Sequence, residues 1–230
     1  MGGKNVKNTI VERMLAGVAP HPCFGCGKLG TPLCIDCKYD IISDPFMGCI
    51  ACARPASSGV CENHKYDIER AFVPGVRSAA LEATINGLKF HHTKAAAYDL
   101  ALLLHYYLPI LPSSVRLVPV PTAPAHVRQR GYDQVELITR HLAALRGLPI
   151  DRVLHRQNTK TQHSVGRTDR FLQAKGAYGV VSAGLIDPNG IYLVVDDVIT
   201  TGATAYAAAK AISDAGGRVW VAALAYQPLD

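Results

Sequence analysis

Seven cysteines lie between Cys23 and Cys61, and the rest of the 230-residue chain contains none. Cys23-x-x-Cys26 is followed by Cys34-x-x-Cys37, and Cys49-x-x-Cys52 by Cys61-x-x-His64. A C-x-x-C knuckle presents two thiolates from one tight turn, and two knuckles close a tetrahedron around zinc. Gly25, Gly27, Gly48 and Pro55 supply turn-forming residues beside these knuckles. An odd number of thiols cannot all pair as disulfides. With His64 there are eight donors, enough for two four-coordinate structural zinc sites. One site, or a mixture of disulfides and free thiols, is the alternative. Large apolar side chains are few in residues 20–65, so metal binding, worth about 10–16 kcal/mol in small zinc modules, would drive folding of this segment. Gly25-Cys-Gly27-Lys-Leu-Gly30 matches G-x-G-x-x-G but follows no strand and opens no helix, so it is not a dinucleotide site.

The cysteine-bearing residues 1–68, with an N-terminal helix, are expected to form one unit and residues 69–230 another. The second part alternates extended and helical patterns. Ser78–Phe90, Lys94–Tyr107, Asp133–Arg146 and Thr204–Ala215 read as helices. Val115–Pro121, Ile191–Val195 and Val219–Tyr226 read as strands, and Asp187–Gly190 as a turn. Asp133 and Glu136 have capping-box spacing, and Gly147 and Gly216-Gly217 are stops. The pattern predicts an α/β fold, a mostly parallel sheet with helices on both faces.

Charge narrows the partners. The formal net charge is +6, and residues 126–175 alone hold ten Lys/Arg against four Asp/Glu. Such a patch suits phosphorylated small molecules or nucleic acid; a solvated surface with chance clustering is the alternative. No apolar run reaches membrane-spanning length, and Leu100–Leu111 reads as a buried helix. Glu12 and Arg13 interrupt any signal-peptide pattern, so the expected compartment is the cytoplasm.

The chemistry concentrates in residues 194–204, VVDDVITTGAT. A strand, a turn and a helix in that order place a ligand at the carboxyl edge of a parallel sheet. Thr200, Thr201, Gly202, Ala203 and Thr204 offer hydroxyls, a close backbone approach and helix N-terminal amides for a phosphate. Asp196 and Asp197 would repel that phosphate but can accept hydrogen bonds from neighbouring sugar hydroxyls. The stretch therefore reads as a handle for a ribose 5-phosphate. Simple helix capping would account for one of its residues but not for the combination.

This motif resembles that of the type I phosphoribosyltransferases, and the whole chain resembles one branch, the ComF family of competence-associated proteins. The resemblance includes the paired knuckles, Leu88-Lys89-Phe90, Val118-Pro-Val-Pro121, Arg128-x-Arg130-Gly131-Tyr132-Asp133-Gln134, Arg156 with Thr161-Gln162, and the terminal motif. It implies a phosphoribosyltransferase-like domain binding phosphoribosyl pyrophosphate with Mg2+. The turn after Val118–Pro121 would hold the pyrophosphate, with Arg128, Arg130 and Lys89 as phosphate contacts. Segment 156–175, containing His163, would be a mobile hood. The family role implied is handling of incoming single-stranded DNA in natural transformation, where a helicase or DNA-loading protein is a fitting partner. Tyr132, Tyr178 and Phe171 could stack on bases or pack in the core. The alternative is an active phosphoribosyltransferase with an unknown acceptor; no residue stands out as its base. Three positions depart from the family pattern: Asp133 stands where Asn is usual, His64 where Cys is usual, and Gln173 where Asn is usual.

Overall fold

The computed structural model describes residues 20–65, 67–157 and 176–228. The N-terminal helix and most of the hood, with Thr161, Gln162, His163, Phe171 and Gln173, lie outside the described residues.

Four parallel strands form the central sheet: β3 (Arg70–Phe72), β4 (Val115–Pro119), β7 (Ile191–Ile199) and β8 (Arg218–Tyr226), in the order β3-β8-β7-β4. Two small antiparallel pairs flank it, β1 (His21–Pro22) with β2 (Leu29–Gly30), and β5 (Leu154–Arg156) with β6 (Tyr178–Val180). The helices are α1 (Ile35–Ser43), α2 (Ala79–Phe90), α3 (Ala96–Tyr107), α4 (Pro124–Arg130), α5 (Gln134–Arg146) and α6 (Ala203–Ser213). The expected parallel α/β architecture is present, with each strand and helix expected in residues 78–226 within a few residues of its predicted bounds. Among the described residues, no helix is long and apolar enough to cross a membrane.

Alternation along the strands builds two cores. Leu117, Leu193, Val195, Ala222 and Leu224 face α2, α3 and α5. Val118, Tyr192, Val194, Val221 and Ala223 face α6. Both strand faces are apolar, as a doubly covered parallel sheet requires. The cysteine segment contributes to both cores. Cys23, Leu33, Cys37 and Ile41 pack into the first, whereas Cys49, Ile50, Ala51 and Val60 pack into the second.

Two expectations are corrected. The strand carrying the acid pair does not stop at Val195. It continues through Asp196 and Asp197 to Ile199, because β8 pairs alongside it as far as Tyr226. The capping box is half formed: Asp133 accepts from the backbone N–H groups of Val135 and Glu136. The Glu136 carboxylate instead engages Arg140 at 2.7 Å, and also Arg152. Two guanidinium partners outweigh one backbone donor.

A buried ion pair fastens the cysteine segment to the first face. Lys38 on α1 meets Asp99 on α3 at 2.7 Å, with side chains 4% and 5% exposed. Asp99 also accepts from the backbone N–H of Leu33 at 3.1 Å. Removing one partner leaves an uncompensated buried charge. Asp99→Leu is expected to cost about 3–5 kcal/mol in denaturant unfolding, and Lys38→Met with Asp99→Leu substantially less. Equal losses in the single and double variants would show that the pair's charges are not what is being felt.

Candidate functional site

β4 and β7 run side by side in parallel, with Pro119 opposite Val195. β4 ends there while β7 goes on, so Asp196 and Asp197 project past the end of their neighbour. The turn after β4 folds over this edge, and Val120 N–H donates to Val195 O at 2.9 Å. Asp133 pins the same turn by accepting from Thr122 N–H at 3.1 Å and Thr122 Oγ1 at 2.9 Å. The Asp standing where the resembling family has Asn is therefore both the N-cap of α5 and the anchor of this turn.

The adjacent acids have different surroundings. Asp197 receives Lys89 Nζ at 2.8 Å on one carboxylate oxygen and Gln134 Nε2 at 2.9 Å on the other. Gln134 in turn accepts from Arg130 at 2.8 Å, and the Arg130 guanidinium lies 5.4 Å from the centre of the Phe90 ring. Lys89, Gln134 and Arg130 thus form a polar chain ending on Asp197. Asp196 has the opposite strand parity and accepts from Asp197 N–H at 2.8 Å. Burial pushes its carboxyl up to about 7, and the negative charge of Asp197 adds to the effect.

The turn after β7 opens α6. Gly202 occupies the left-handed region at φ +76°, and no side chain caps the helix. Thr201 is buried, and its hydroxyl accepts from Ala203 N–H at 3.3 Å. Thr204 is exposed. Beyond Ala203, the first-turn amides have no intrahelical acceptor, and the helix start carries partial positive charge, the arrangement that favours an anion.

Of the residues singled out in the sequence, Lys89, Arg130, Asp196 and Asp197 come together. Arg128 is exposed on α4. Lys89 is bound to an acid rather than presented as a lone phosphate contact. Gln134 had no role in the sequence reading beyond its place in the motif. Tyr132 and Tyr178 are buried, with Tyr132 hydroxyl donating to Leu88 O and Arg156 donating to Tyr178 Oη at 3.1 Å.

Both cysteine clusters assemble. Cys23, Cys26, Cys34 and Cys37 form one group, and Cys49, Cys52, Cys61 and His64 the other; within each, the donor atoms lie within 4.8 Å of one another. Sulfur–sulfur separations are 3.7 Å for Cys23–Cys37, 3.6 Å for Cys26–Cys34 and 3.8 Å for Cys52–Cys61. A tetrahedron with zinc–sulfur bonds of about 2.3 Å has edges of about 3.8 Å. These gaps are far beyond a disulfide's roughly 2.05 Å. His64 Nδ1 lies 3.2 Å from Cys61 Sγ and 3.7 Å from Cys49 Sγ, around the roughly 3.5 Å of a mixed nitrogen–sulfur edge. Burial raises the Cys23 thiol, but amides of Cys34, Cys26 and Gly25 outweigh it and hold the group at about 6. That favours the thiolate at this one donor, whereas burial pushes the Cys37 thiol up. Both donor sets fit structural zinc.

The fold and site define a parallel α/β protein with an acid pair and a strand–turn–helix junction at one sheet edge, and two four-donor clusters that fit a metal. No family model matches the chain. It is 28% identical over 191 residues, 75% of this chain and 80% of the relative, to Competence protein F of Haemophilus influenzae. This relationship and the motif order support the resemblance to the ComF family.

Because the Asp196 carboxyl sits above its ordinary value of 3.8, the folded chain keeps a proton that the unfolded chain releases. Stability from this group therefore falls as pH rises from about 4 to about 7 and is flat above. Asp196→Asn removes that dependence. Its melting temperature relative to the parent protein should be higher at pH 8 than at pH 5.5, measured without ligand. The same difference at both pH values would show that the carboxyl is not raised.

Proposed function

We propose that this protein is competence-associated, that it binds phosphoribosyl pyrophosphate at the carboxyl edge of β4 and β7, and that it binds single-stranded DNA through the basic surface of α4. One observation carries the first part: parallel pairing of β4 with β7 brings the turn after β4, the acid pair and the Gly202 turn to one edge. These are the three parts a sugar bearing a phosphate and a pyrophosphate would need. The Thr200–Thr204 turn takes the 5-phosphate, and Asp196 and Asp197 take the sugar hydroxyls. Arg130 and the turn at 120–123 face the pyrophosphate, with Arg128 at the rim. Mg2+, arriving with the ligand, would neutralise the pyrophosphate charge. Lys89 and Gln134 hold Asp197 in place beside the buried Asp196.

Calorimetry with phosphoribosyl pyrophosphate and Mg2+ tests this reading. Asp196→Ala/Asp197→Ala should weaken binding by roughly tenfold or more, since the double variant removes both carboxyl acceptors for the sugar hydroxyls. No binding by the parent protein would overturn it. Pyrophosphate release on adding nucleobases or amines would go further and identify an active transferase.

The competence role rests on the relative's name and on charge. Arg128 is exposed, and Arg130 lies over Phe90, which is 59% exposed. Cations beside an accessible aromatic ring suit a single strand's phosphates and bases. The setting proposed is the cytoplasmic side of DNA uptake, with a helicase or DNA-loading protein as partner. Arg128→Gln should lower the slope of log affinity against log salt by about 0.7, the value for one phosphate contact on a single strand. Adding Arg130→Gln should lower it by about as much again. An unchanged slope in the double variant would remove α4 from the interface.

A further inference from the structure

The second donor cluster lies directly against the phosphate turn. We propose that Cys49, Cys52, Cys61 and His64, with metal bound, set the conformation of residues 200–206, and that Ile50 and Tyr206 are the positioning residues. Its consequence for ligand affinity rests on the phosphoribosyl pyrophosphate reading, but the mechanical coupling does not.

Two contacts carry the inference. Ile50 sits inside the Cys49-x-x-Cys52 loop and is fully buried in the core cluster that also holds Ile199, Ala205 and Tyr206. Its carbonyl abuts Gly202 so closely that a Cβ there would lie 2.9 Å from the oxygen. The +76° φ of Gly202 already favours glycine, and the Ile50 carbonyl closes the remaining space. On the other side, Tyr206 hydroxyl donates to the carbonyl of His64 at 2.6 Å. Tyr206 N–H donates to Gly202 O at 2.9 Å, which closes a circuit from the turn through the helix to the metal ligand and back.

The knuckle transmits position because it is itself fixed. Ile50 N–H donates to Gly59 O at 3.0 Å, Cys49 N–H to Arg54 O at 2.8 Å, and Ala53 N–H to Cys49 O at 2.8 Å. Those bonds span a short loop, and holding four donors around one ion is what gives such a loop a single shape. The first cluster packs on the opposite face, against α2 and α3, and has no such contact with the turn among the described residues. It supplies an internal control.

Zinc content and peptide-resolved hydrogen exchange on the full chain test the coupling. His64→Ala should lower zinc from about two per chain to about one. It should speed exchange across residues 200–206 by roughly tenfold or more, while β8 stays protected. His64→Cys should restore both. Cys26→Ser should lose the first zinc and leave the turn's exchange as it was. Tyr206→Phe should keep both zinc ions and still loosen the turn severalfold. The proposal is overturned if His64→Ala loses zinc with turn exchange within twofold of the parent, or if Cys26→Ser loosens the turn as much. Should His64→Ala not fold, Tyr206→Phe decides, and unchanged exchange in that variant overturns the proposal. No ligand is needed for any of these readings, so failure of phosphoribosyl pyrophosphate to bind would count against the preceding proposal alone.

Discussion

The structure depends on a segment that cannot hold itself together being divided between two faces of one sheet. Residues 20–65 bring few large apolar side chains. Their buried ones, Leu33 and Ile41 on one side and Ile50 and Val60 on the other, enter cores built by β4, β7 and β8. Two four-donor clusters give the segment its local shape, and the sheet gives it a place. The buried Lys38–Asp99 pair adds direction, since a charge at 4–5% exposure is tolerated only opposite its partner. Metal binding at these clusters would therefore be coupled to core packing.

Electrostatics divides labour between the neighbouring acids. A strand's period of two sends adjacent side chains to opposite faces. Asp197 therefore meets α2 and α5, where Lys89 and Gln134 occupy both of its oxygens. Asp196 turns the other way, and burial beside a negative neighbour raises it to about 7. Two unscreened carboxylates so close would repel strongly. A lysine on one and a tendency toward protonation in the other lower that cost. A ligand supplying hydroxyl donors and a cation would relieve it further, which gives the free protein a physical reason to favour such a ligand.

Much of the architecture was legible because local rules and the fold agree. Apolar runs marked β4, β7 and β8, and Asp133 and Gly147 bracket α5 as cap and stop. The donor spacing identified both clusters, since C-x-x-C places two sulfurs on one turn whatever surrounds it. The end of β7 was not legible. Two carboxylates and a threonine-rich stretch look like a turn, and only pairing with β8 carries the strand through them to Ile199. Nor could the sequence distinguish a surface lysine from Lys89, whose partner lies 108 positions away. Gln134 carried no local signal of its purpose; in sequence it is simply the first residue of a helix.

The assignment of knuckles to faces also had no sequence signal, and it matters most for function. Had both clusters packed on the α2–α3 side, zinc would affect this protein only through overall stability. Instead the second cluster stands on the face of α6, where the Ile50 carbonyl and the Tyr206–His64 hydrogen bond confine the Gly202 turn. A glycine forced to positive φ gains freedom to approach a phosphate but loses the restraint a side chain would supply. The neighbouring knuckle supplies that restraint from outside. Thr201, Gly202 and Ala203 are buried behind that wall, while Thr200 is half-buried and Thr204 exposed at the ends of the turn.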